Sequence, residues 1–422
     1  MQDAIRRNRW LVVPAALMLQ LCLGMIYAWS VFTPYLTGTI EDPVTHFKFT
    51  STQTQVVFSV ELATFALVMI FAGKWQKSTS PRFVTMMGGI ILGGGYVLAG
   101  IIGDHFIDQV ITIGVIGGAG VGLVYVCPIA VGVRWFPDKK GMITGLAVAG
   151  FGFGALIWVK LAGSWANLLN NYGVLNTFLI YGIIVGIIII INSFFMVYPP
   201  DDWKPPHWEP QTKATLDGCA IEFECGEMLR TRQFYSLWVA FIFSAMAGLM
   251  VIGIIKLFGI DALQNAGYGI KQASIIAGTA MAFFYALGNG LGRIMWGVIS
   301  EKMRRKYALV ALTFCQGIMM FLFYYMGEHV WLLYAGSAII GFNFGGNFAL
   351  FPTITSDYFG IKSIGPNYGW MFTAYGVGGV IGPVIAGYIR DAWNNFHAAF
   401  IIAGIGCLIA SIIALTLSPP GK

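Results

Sequence analysis

The chain has 422 residues, of which 57% are hydrophobic and 10% charged, against about 25% charged in soluble domains. With 54 glycines and 32 phenylalanines besides, that balance excludes a soluble globular enzyme, a disordered chain, a collagen and a disulfide scaffold. The formal net charge of +6 calls for no nucleic-acid partner, because the basic residues gather in short loops of one parity, as membrane topology requires.

A membrane-spanning helix needs about 20 apolar residues. Runs of that kind predict an all-α polytopic protein of twelve transmembrane helices at 10–36, 53–73, 83–103, 110–133, 142–166, 174–198, 233–258, 273–299, 307–326, 332–356, 367–389 and 398–417. The runs are continuous rather than alternating, which excludes a membrane β-barrel. The first follows Arg6-Arg7-Asn8-Arg9 as a signal peptide's would. It is too long for a signal h-region and has no small-residue cleavage site, so it reads as an uncleaved helix. With the N-terminus inside, 19 of the 25 Lys and Arg fall on one side of the membrane; Lys48, Lys271 and Arg390 fall on the other, and Lys160, Lys256 and Arg293 lie within spans. The positive-inside rule then puts both termini in the cytoplasm, for a multi-pass protein of the cytoplasmic (inner) membrane surrounded by lipid. The longest polar stretch, 199–232, begins Pro199-Pro200-Asp201-Asp202-Trp203-Lys204-Pro205-Pro206. It is expected to be a cytoplasmic linker between six-helix halves at 1–198 and 233–422.

Cys22, Cys127, Cys315 and Cys407 fall inside spans as small apolar packers. Cys219 and Cys225 lie in the linker, where a disulfide is not expected and no zinc-ligand spacing is present. No metal or other cofactor is called for.

Shifting the sequence by 224 residues brings Gly73 onto Gly297, Gly93 onto Gly317, Gly117 onto Gly341 and Gly122 onto Gly346. It also brings Pro128 onto Pro352, Gly141 onto Gly365, Gly145 onto Gly369, Gly152 onto Gly376 and Gly154 onto Gly378. With 54 glycines in 422 residues, chance pairs glycine with glycine about once in 60 positions. The ungapped register therefore points to a duplicated six-helix unit. Two parallel six-helix halves joined by a cytoplasmic linker resemble the major facilitator fold, in which substrate binds near the midplane between halves that rock. The loop Gly297-Val298-Ile299-Ser300-Glu301-Lys302-Met303-Arg304-Arg305 is similar to that superfamily's Gly-x-x-x-Asp-x-x-Gly-Arg loop, with Glu301 for Asp. Its first-half counterpart, Gly73-Lys74-Trp75-Gln76-Lys77, has Lys77 where the acid is expected.

A charge at mid-bilayer costs about 2.5–3.5 kcal/mol on the insertion scale. Lys256, near the outer end of the seventh span, reads as snorkelling to the outer headgroups; Lys160 is as compatible with snorkelling as with a buried role. Arg293 sits deep in Leu287-Gly288-Asn289-Gly290-Leu291-Gly292-Arg293, with Asn289 one turn earlier on the same face. It reads as an anion site rather than as half of a structural ion pair, since a guanidinium offers a planar fork to a carboxylate and cannot lose its charge. Glu61, the one acid well inside a span, is a candidate proton carrier, a partner for a lysine, or a residue near the outer interface. No histidine is intramembrane, so a mid-membrane histidine relay is not available. Tyr27, Tyr125, Phe344, Phe348, Phe372 and Tyr375 lie in helices one, four, ten and eleven; taken singly, each is as compatible with packing or an interfacial belt as with ligand contact.

Several longer motifs narrow the reading. Arg134-Trp135-Phe136-Pro137-Asp138-Lys139-Lys140-Gly141 joins spans four and five, and Gly226-Glu227-Met228-Leu229-Arg230-Thr231-Arg232-Gln233-Phe234 leads into span seven. Phe351-Pro352 and Ser356-Asp357-Tyr358-Phe359-Gly360 end span ten, and Asn367-Tyr368-Gly369 opens span eleven. Together these resemble the oxalate/formate antiporter family of facilitators, which includes bacterial relatives of the monocarboxylate transporters. The resemblance covers nearly the whole chain. It implies carboxylate transport with Arg293 as the carboxylate clamp, Tyr125 as a binding tyrosine, and Phe344, Phe348 and Phe372 as cavity aromatics. The oxalate-exchanging branch carries a lysine where this sequence has Tyr375, and animal monocarboxylate carriers carry an Asp where this sequence has Asn289.

One Arg neutralises one carboxylate, and a second carboxylate buried unpaired would cost several kcal/mol. The expectation is therefore a non-enzymatic symporter of a short monocarboxylate such as lactate or pyruvate with a proton. Arg293, Asn289, Tyr125, Phe344, Phe348, Phe372, Tyr375 and Tyr27 are expected at the substrate, and Glu61 is the proton-coupling candidate. The alternative is an obligatory carboxylate exchanger, such as one of oxalate for formate. A monomer is the default for this fold.

Overall fold

A computed structural model describes residues 8–136, 140–200, 205, 222–360 and 363–420. Twelve long helices account for most of them: α1 (Arg9–Val31), α2 (Ser51–Ser78), α3 (Pro81–Ile102), α4 (Phe106–Trp135), α5 (Lys140–Ala162), α6 (Leu168–Ser193), α7 (Arg232–Asn265), α8 (Ile270–Lys302), α9 (Arg305–Met326), α10 (Val330–Phe359), α11 (Ile364–Trp393) and α12 (His397–Thr416). Eleven are long and apolar enough to cross a membrane. The other, α10, has 30 residues and is long enough; it carries the buried Asn343 and Asn347 near its middle. There is no strand among the described residues.

Local signals start the helices where the sequence changes character. Thr50 and Gln53 cap α2 reciprocally, Ser80 caps α3 with Pro81 in its first turn, and Thr231 caps α7. Each satisfies backbone N–H groups that a helix start leaves orphaned. The expected boundaries hold to within a few residues, except where polar ends stay helical beyond the apolar run, as at Ser78 and Asn265. Helix α6 begins at Leu168 rather than 174 because a short helical turn is fused to it across a kink at Gly173, where φ is 77°. A side chain there would meet the Asp42 carboxylate at 2.7 Å. Asp42 in turn accepts hydrogen bonds from the amides of Val44, Thr45 and Val174, pinning the α1–α2 loop onto α6.

The surface is apolar: Leu67, Phe71, Ile183, Ile187, Ile191, Phe314 and Ile412 all face outward. Exposed apolar side chains around the whole girdle suit hydrocarbon, not water. Twelve crossings return the chain to the face it started from. That face carries Arg9, Arg82, Arg134, Arg232, Lys302 and Arg305 and is called the basic face below.

Packing repeats between the halves. Gly93 of α3 lies on Gly182 and Gly186 of α6, as Gly317 of α9 lies on Gly404 of α12. Gly154 of α5 lies on Gly24 of α1, as Gly378 of α11 lies on the Ile242 carbonyl of α7. Gly152 of α5 meets Gly290 of α8 across the halves, and its counterpart Gly376 of α11 meets Ala66 of α2. Small residues are the means by which membrane helices bring backbones together, so the 224-residue register is a register of helix crossings. The halves meet through α2 with α11, α5 with α8, and α1 with α7. The linker expected at 199–232 lies mostly outside the described residues, as do Cys219 and Pro137-Asp138-Lys139. Phe223, near its end, docks on the second half, donating to the Phe359 carbonyl and accepting from Asn367.

At the face opposite the basic one, Asp391 at the end of α11 accepts from the Ser51 and Thr52 amides at 2.8 and 2.7 Å and from the Thr52 hydroxyl at 2.5 Å. An anion at a helix N-terminus is favoured by both the free N–H groups and the dipole. This acid of the second half therefore latches the start of α2 in the first. Hydrogen bonds to a charged group are worth about 1.5–3 kcal/mol, so Asp391→Ala should shift the halves toward opening on this face by about tenfold or more. Faster labelling of a cysteine placed at Gln55 by a membrane-impermeant maleimide would show it; an unchanged labelling rate would contradict the latch.

Candidate functional site

The site grows from a place where two backbones nearly touch. A side chain on Gly152 of α5 would lie 3.0 Å from the Gly290 amide of α8, so neither position tolerates one without separating the helices. Because α5 and α8 cross so closely, Arg293, three residues further along α8, reaches back into the other half. Its Nη1 donates to the Val148 carbonyl at 2.8 Å, and its Nε donates to Asn289 Oδ1 at 3.1 Å. The guanidinium lies 4.0 Å over the Phe348 ring and 5.6 Å from that of Phe151.

Arg293 is 3% exposed, and no carboxylate among the described residues lies within ion-pair distance of it. Its Nη2 makes no hydrogen bond of good geometry, having only the Tyr27 and Tyr125 hydroxyls nearby, and Asn289 Nδ2, beside it, has no acceptor. A buried charge without a counterion costs several kcal/mol, and a cation–π contact returns about 0.5–2 kcal/mol of that. The site therefore holds an uncompensated positive charge and two poorly satisfied donors, a combination that an anion with two oxygens would satisfy.

Aromatic rings from both halves enclose this charge. The Tyr27 hydroxyl of α1 and the Tyr375 hydroxyl of α11 share a hydrogen bond of 3.0 Å across the halves. Tyr27 packs edge-on to Phe151 and Phe344. Tyr125 of α4 packs against Phe151 and Phe372, and Tyr375 against Phe372 and Phe348. The Tyr27 and Tyr125 hydroxyls lie against the guanidinium, near enough to accept weakly from it. Gly248 of α7 makes room for Phe344, whose ring would stand 2.1 Å from any side chain there. Thus all eight substrate-site candidates (Arg293, Asn289, Tyr125, Phe344, Phe348, Phe372, Tyr375 and Tyr27) form one cluster, 0–8% exposed. Tyr375, where the resembling branch has lysine, contributes a hydroxyl and no charge.

Sequence reasoning missed three participants. Phe65 of α2 touches Tyr125, Phe151, Phe372 and Tyr375. Phe151 stands in the run Gly150-Phe151-Gly152-Phe153-Gly154, where aromatics flanked by glycine at a close crossing were a usable signal. The Val148 carbonyl carries no sequence signal at all. Gln20 of α1 supports the site from behind, donating to the Tyr125 carbonyl at 3.2 Å.

Glu61 lies one turn from Phe65 on α2 but faces the interior of the first half. The Tyr96 hydroxyl donates to its Oε1 at 3.0 Å, Gly117 packs beside it, and its Oε2 has no partner. It is fully buried and pairs with no described lysine, which removes the interface and ion-pair readings. Lys256 is also buried, at 6% exposed. Its amine lies 5.5 Å from the Tyr35 ring of the first half, covered by protein rather than turned outward as snorkelling requires.

A family model described as "Major Facilitator Superfamily" matches residues 15–284 and 268–422. The chain belongs to the major facilitator superfamily. Among curated relatives, it is 28% identical to the oxalate:formate antiporter of Oxalobacter formigenes over 98% of this chain and 92% of that one. It is 27% identical to an uncharacterised transporter of the superfamily from Escherichia coli, over 89% of this chain and 87% of that one. It is 24% identical to apicoplast pyruvate carrier 1 of Toxoplasma gondii, over 87% and 81%. The relatives are transporters, which puts this facilitator among multi-pass membrane transporters rather than enzymes.

The close fit of α10 on α8 makes a testable point. A side chain at Gly345 would lie 2.1 Å from the Asn289 carbonyl, and backbone cannot yield as a flexible side chain does. Gly345→Ala should push α10 away from α8, lower the melting temperature of the purified facilitator, and lift Phe348 off Arg293; overpacking of this kind costs about 1–3 kcal/mol. An unchanged melting temperature would contradict the packing described.

Proposed function

We propose that this facilitator carries a short monocarboxylate, lactate- or pyruvate-like, together with a proton by alternating access, and that Arg293 clamps the carboxylate. The observation that carries the reading is the buried guanidinium, its Nη2 poorly satisfied and no acid among the described residues placed to neutralise it. A carboxylate would accept from Arg293 Nη2 and Asn289 Nδ2, with the Tyr27, Tyr125 and Tyr375 hydroxyls available to its remaining oxygens. Phe344, Phe348 and Phe372 would cover its tail and keep the pair dry, which strengthens the electrostatic attraction. The oxalate:formate antiporter and the pyruvate carrier among the relatives support the substrate class. With Tyr375 neutral, the cluster brings one cation to the substrate, which favours one carboxylate over two.

The placement of the groups supports alternating access. Arg293 belongs to the second half and Val148 to the first, so movement of the halves on the basic side must break that hydrogen bond. A bound carboxylate neutralises the charge left behind, and the loaded carrier then turns over more readily than the empty one. Glu61, one turn from Phe65, is the group we assign to the proton, which it would carry as the neutral acid against Tyr96 inside the first half. We further propose that the basic face, with both termini, faces the cytoplasm of an inner membrane, that 1–198 and 233–422 move as two bodies about the 199–232 linker, and that the carrier works as a monomer.

One observation favours obligatory exchange as a second reading. Among the described residues no titratable acid touches Arg293, and Asn289 stands one turn before it. In an exchanger the anion alone would license the return step.

Uptake of labelled L-lactate into proteoliposomes, with an inward proton gradient and no internal substrate, separates the two. Symport gives gradient-driven accumulation that Arg293→Gln abolishes, and Glu61→Gln uncouples it from the gradient while leaving lactate–lactate counterflow. Uptake that appears only after preloading with a carboxylate would sink symport in favour of exchange. Uptake unaffected by Arg293→Gln would sink the clamp.

A further inference from the structure

A second buried cation remains unexplained by the central site. Lys256 of α7 is 6% exposed, and among the described residues no carboxylate lies within ion-pair distance and no acceptor is hydrogen-bonded to its amine. Its neighbour across the halves is the Tyr35 ring, at the end of α1, 5.5 Å from Nζ. The acids of this region are committed elsewhere: Asp261 to Arg390 Nε at 2.9 Å, Asp42 to the amides of Val44, Thr45 and Val174, and Asp391 to the start of α2. One turn back on the same face of α7, the Gly253 carbonyl accepts from Gln55 Nε2 of α2 at 3.1 Å. Gln55 is fully buried, and its Oε1 has no donor.

The position of Lys256 is as telling as its isolation. Gly248, against Phe344, marks the level of the central cluster; Lys256 is eight residues further toward the face opposite the basic one, about 12 Å along the helix at 1.5 Å per residue. It lies on the seam between α1 and α7, one of the three seams that must part if the carrier is to open on that face. When the seam is closed, the Tyr35 ring partly offsets the charge. When it opens, the ring and Gln55 withdraw together with the first half, leaving the ammonium facing the passage to Arg293.

We propose that Lys256 forms a second anion site on the outer passage, a station that takes a small carboxylate in place of the Tyr35 ring and passes it inward to Arg293. The ligand class rests on the carboxylate reading of the central site, but the cation itself does not.

Thermal stabilisation of the purified full chain by formate, L-lactate and chloride tests this. Wild type, Arg293→Gln, Lys256→Met and the double variant are compared, with Lys256→Gln and Lys256→Arg as folding and charge controls. Arg293→Gln should retain a weaker stabilisation by formate and lactate that the double variant loses and that Arg293→Gln with Lys256→Arg keeps. In transport, Lys256→Met should raise the external KM about tenfold with the influx kcat within about twofold; since kcat/KM must fall equally in both directions, efflux should lose the same factor through its kcat, with the internal KM unchanged. No residual stabilisation in Arg293→Gln, residual stabilisation surviving in the double variant, or equal KM changes on both sides would overturn the proposal. Chloride acting as well as the carboxylates would overturn the ligand class. An Arg293→Gln protein that responds like wild type, while Lys256→Met loses the response, would overturn the central clamp and support the outer site.

Discussion

An uncompensated positive charge in the middle of an apolar bundle governs this molecule. Arg293 cannot shed its proton, cannot reach water, and has no described carboxylate partner. Its neighbours are those that make such a charge tolerable: an asparagine oxygen, a backbone carbonyl from the opposite half and the face of a phenylalanine. None supplies a counter-charge. The fold therefore presents a site whose most stabilising partner is one it does not contain.

The same residue ties the halves together, and that couples recognition to movement. The hydrogen bond to Val148 exists because Gly152 and Gly290 let α5 and α8 cross almost backbone to backbone. On the other side of the cluster, the Tyr27–Tyr375 hydroxyl pair joins α1 to α11. Further out, Asp391 holds the start of α2. Each of these contacts is polar, specific and made across the seam, whereas the apolar packing is mostly within a half. Contacts of that kind can be exchanged one at a time without disturbing either six-helix core.

Much of this was legible in the residues. Charge distribution and apolar run length yield twelve crossings, and the 224-residue glycine register anticipates the helix crossings because a glycine kept at equal spacing marks an equal close approach. Arg293 and Asn289 stand out because a charge in a span is costly. The aromatic members of the site were reached through family resemblance, since one ring among many in a membrane helix carries no mark of its own. Phe65 and the Val148 carbonyl were not legible: their roles depend on which helix faces face each other, and on a main-chain atom every residue has. Lys256 was misread as snorkelling because the local pattern does not show that Tyr35 covers it.

The most direct test of the account is where a carboxylate sits. A crystal structure with 3-bromopropionate, whose bromine marks the tail by anomalous scattering, should place the carboxylate oxygens within hydrogen-bond distance of Arg293 Nη2 and Asn289 Nδ2, with the bromine among Phe344, Phe348 and Phe372. A fully occupied ligand bound elsewhere in the bundle, with the Arg293 guanidinium still turned only to Val148 and Asn289, would contradict it.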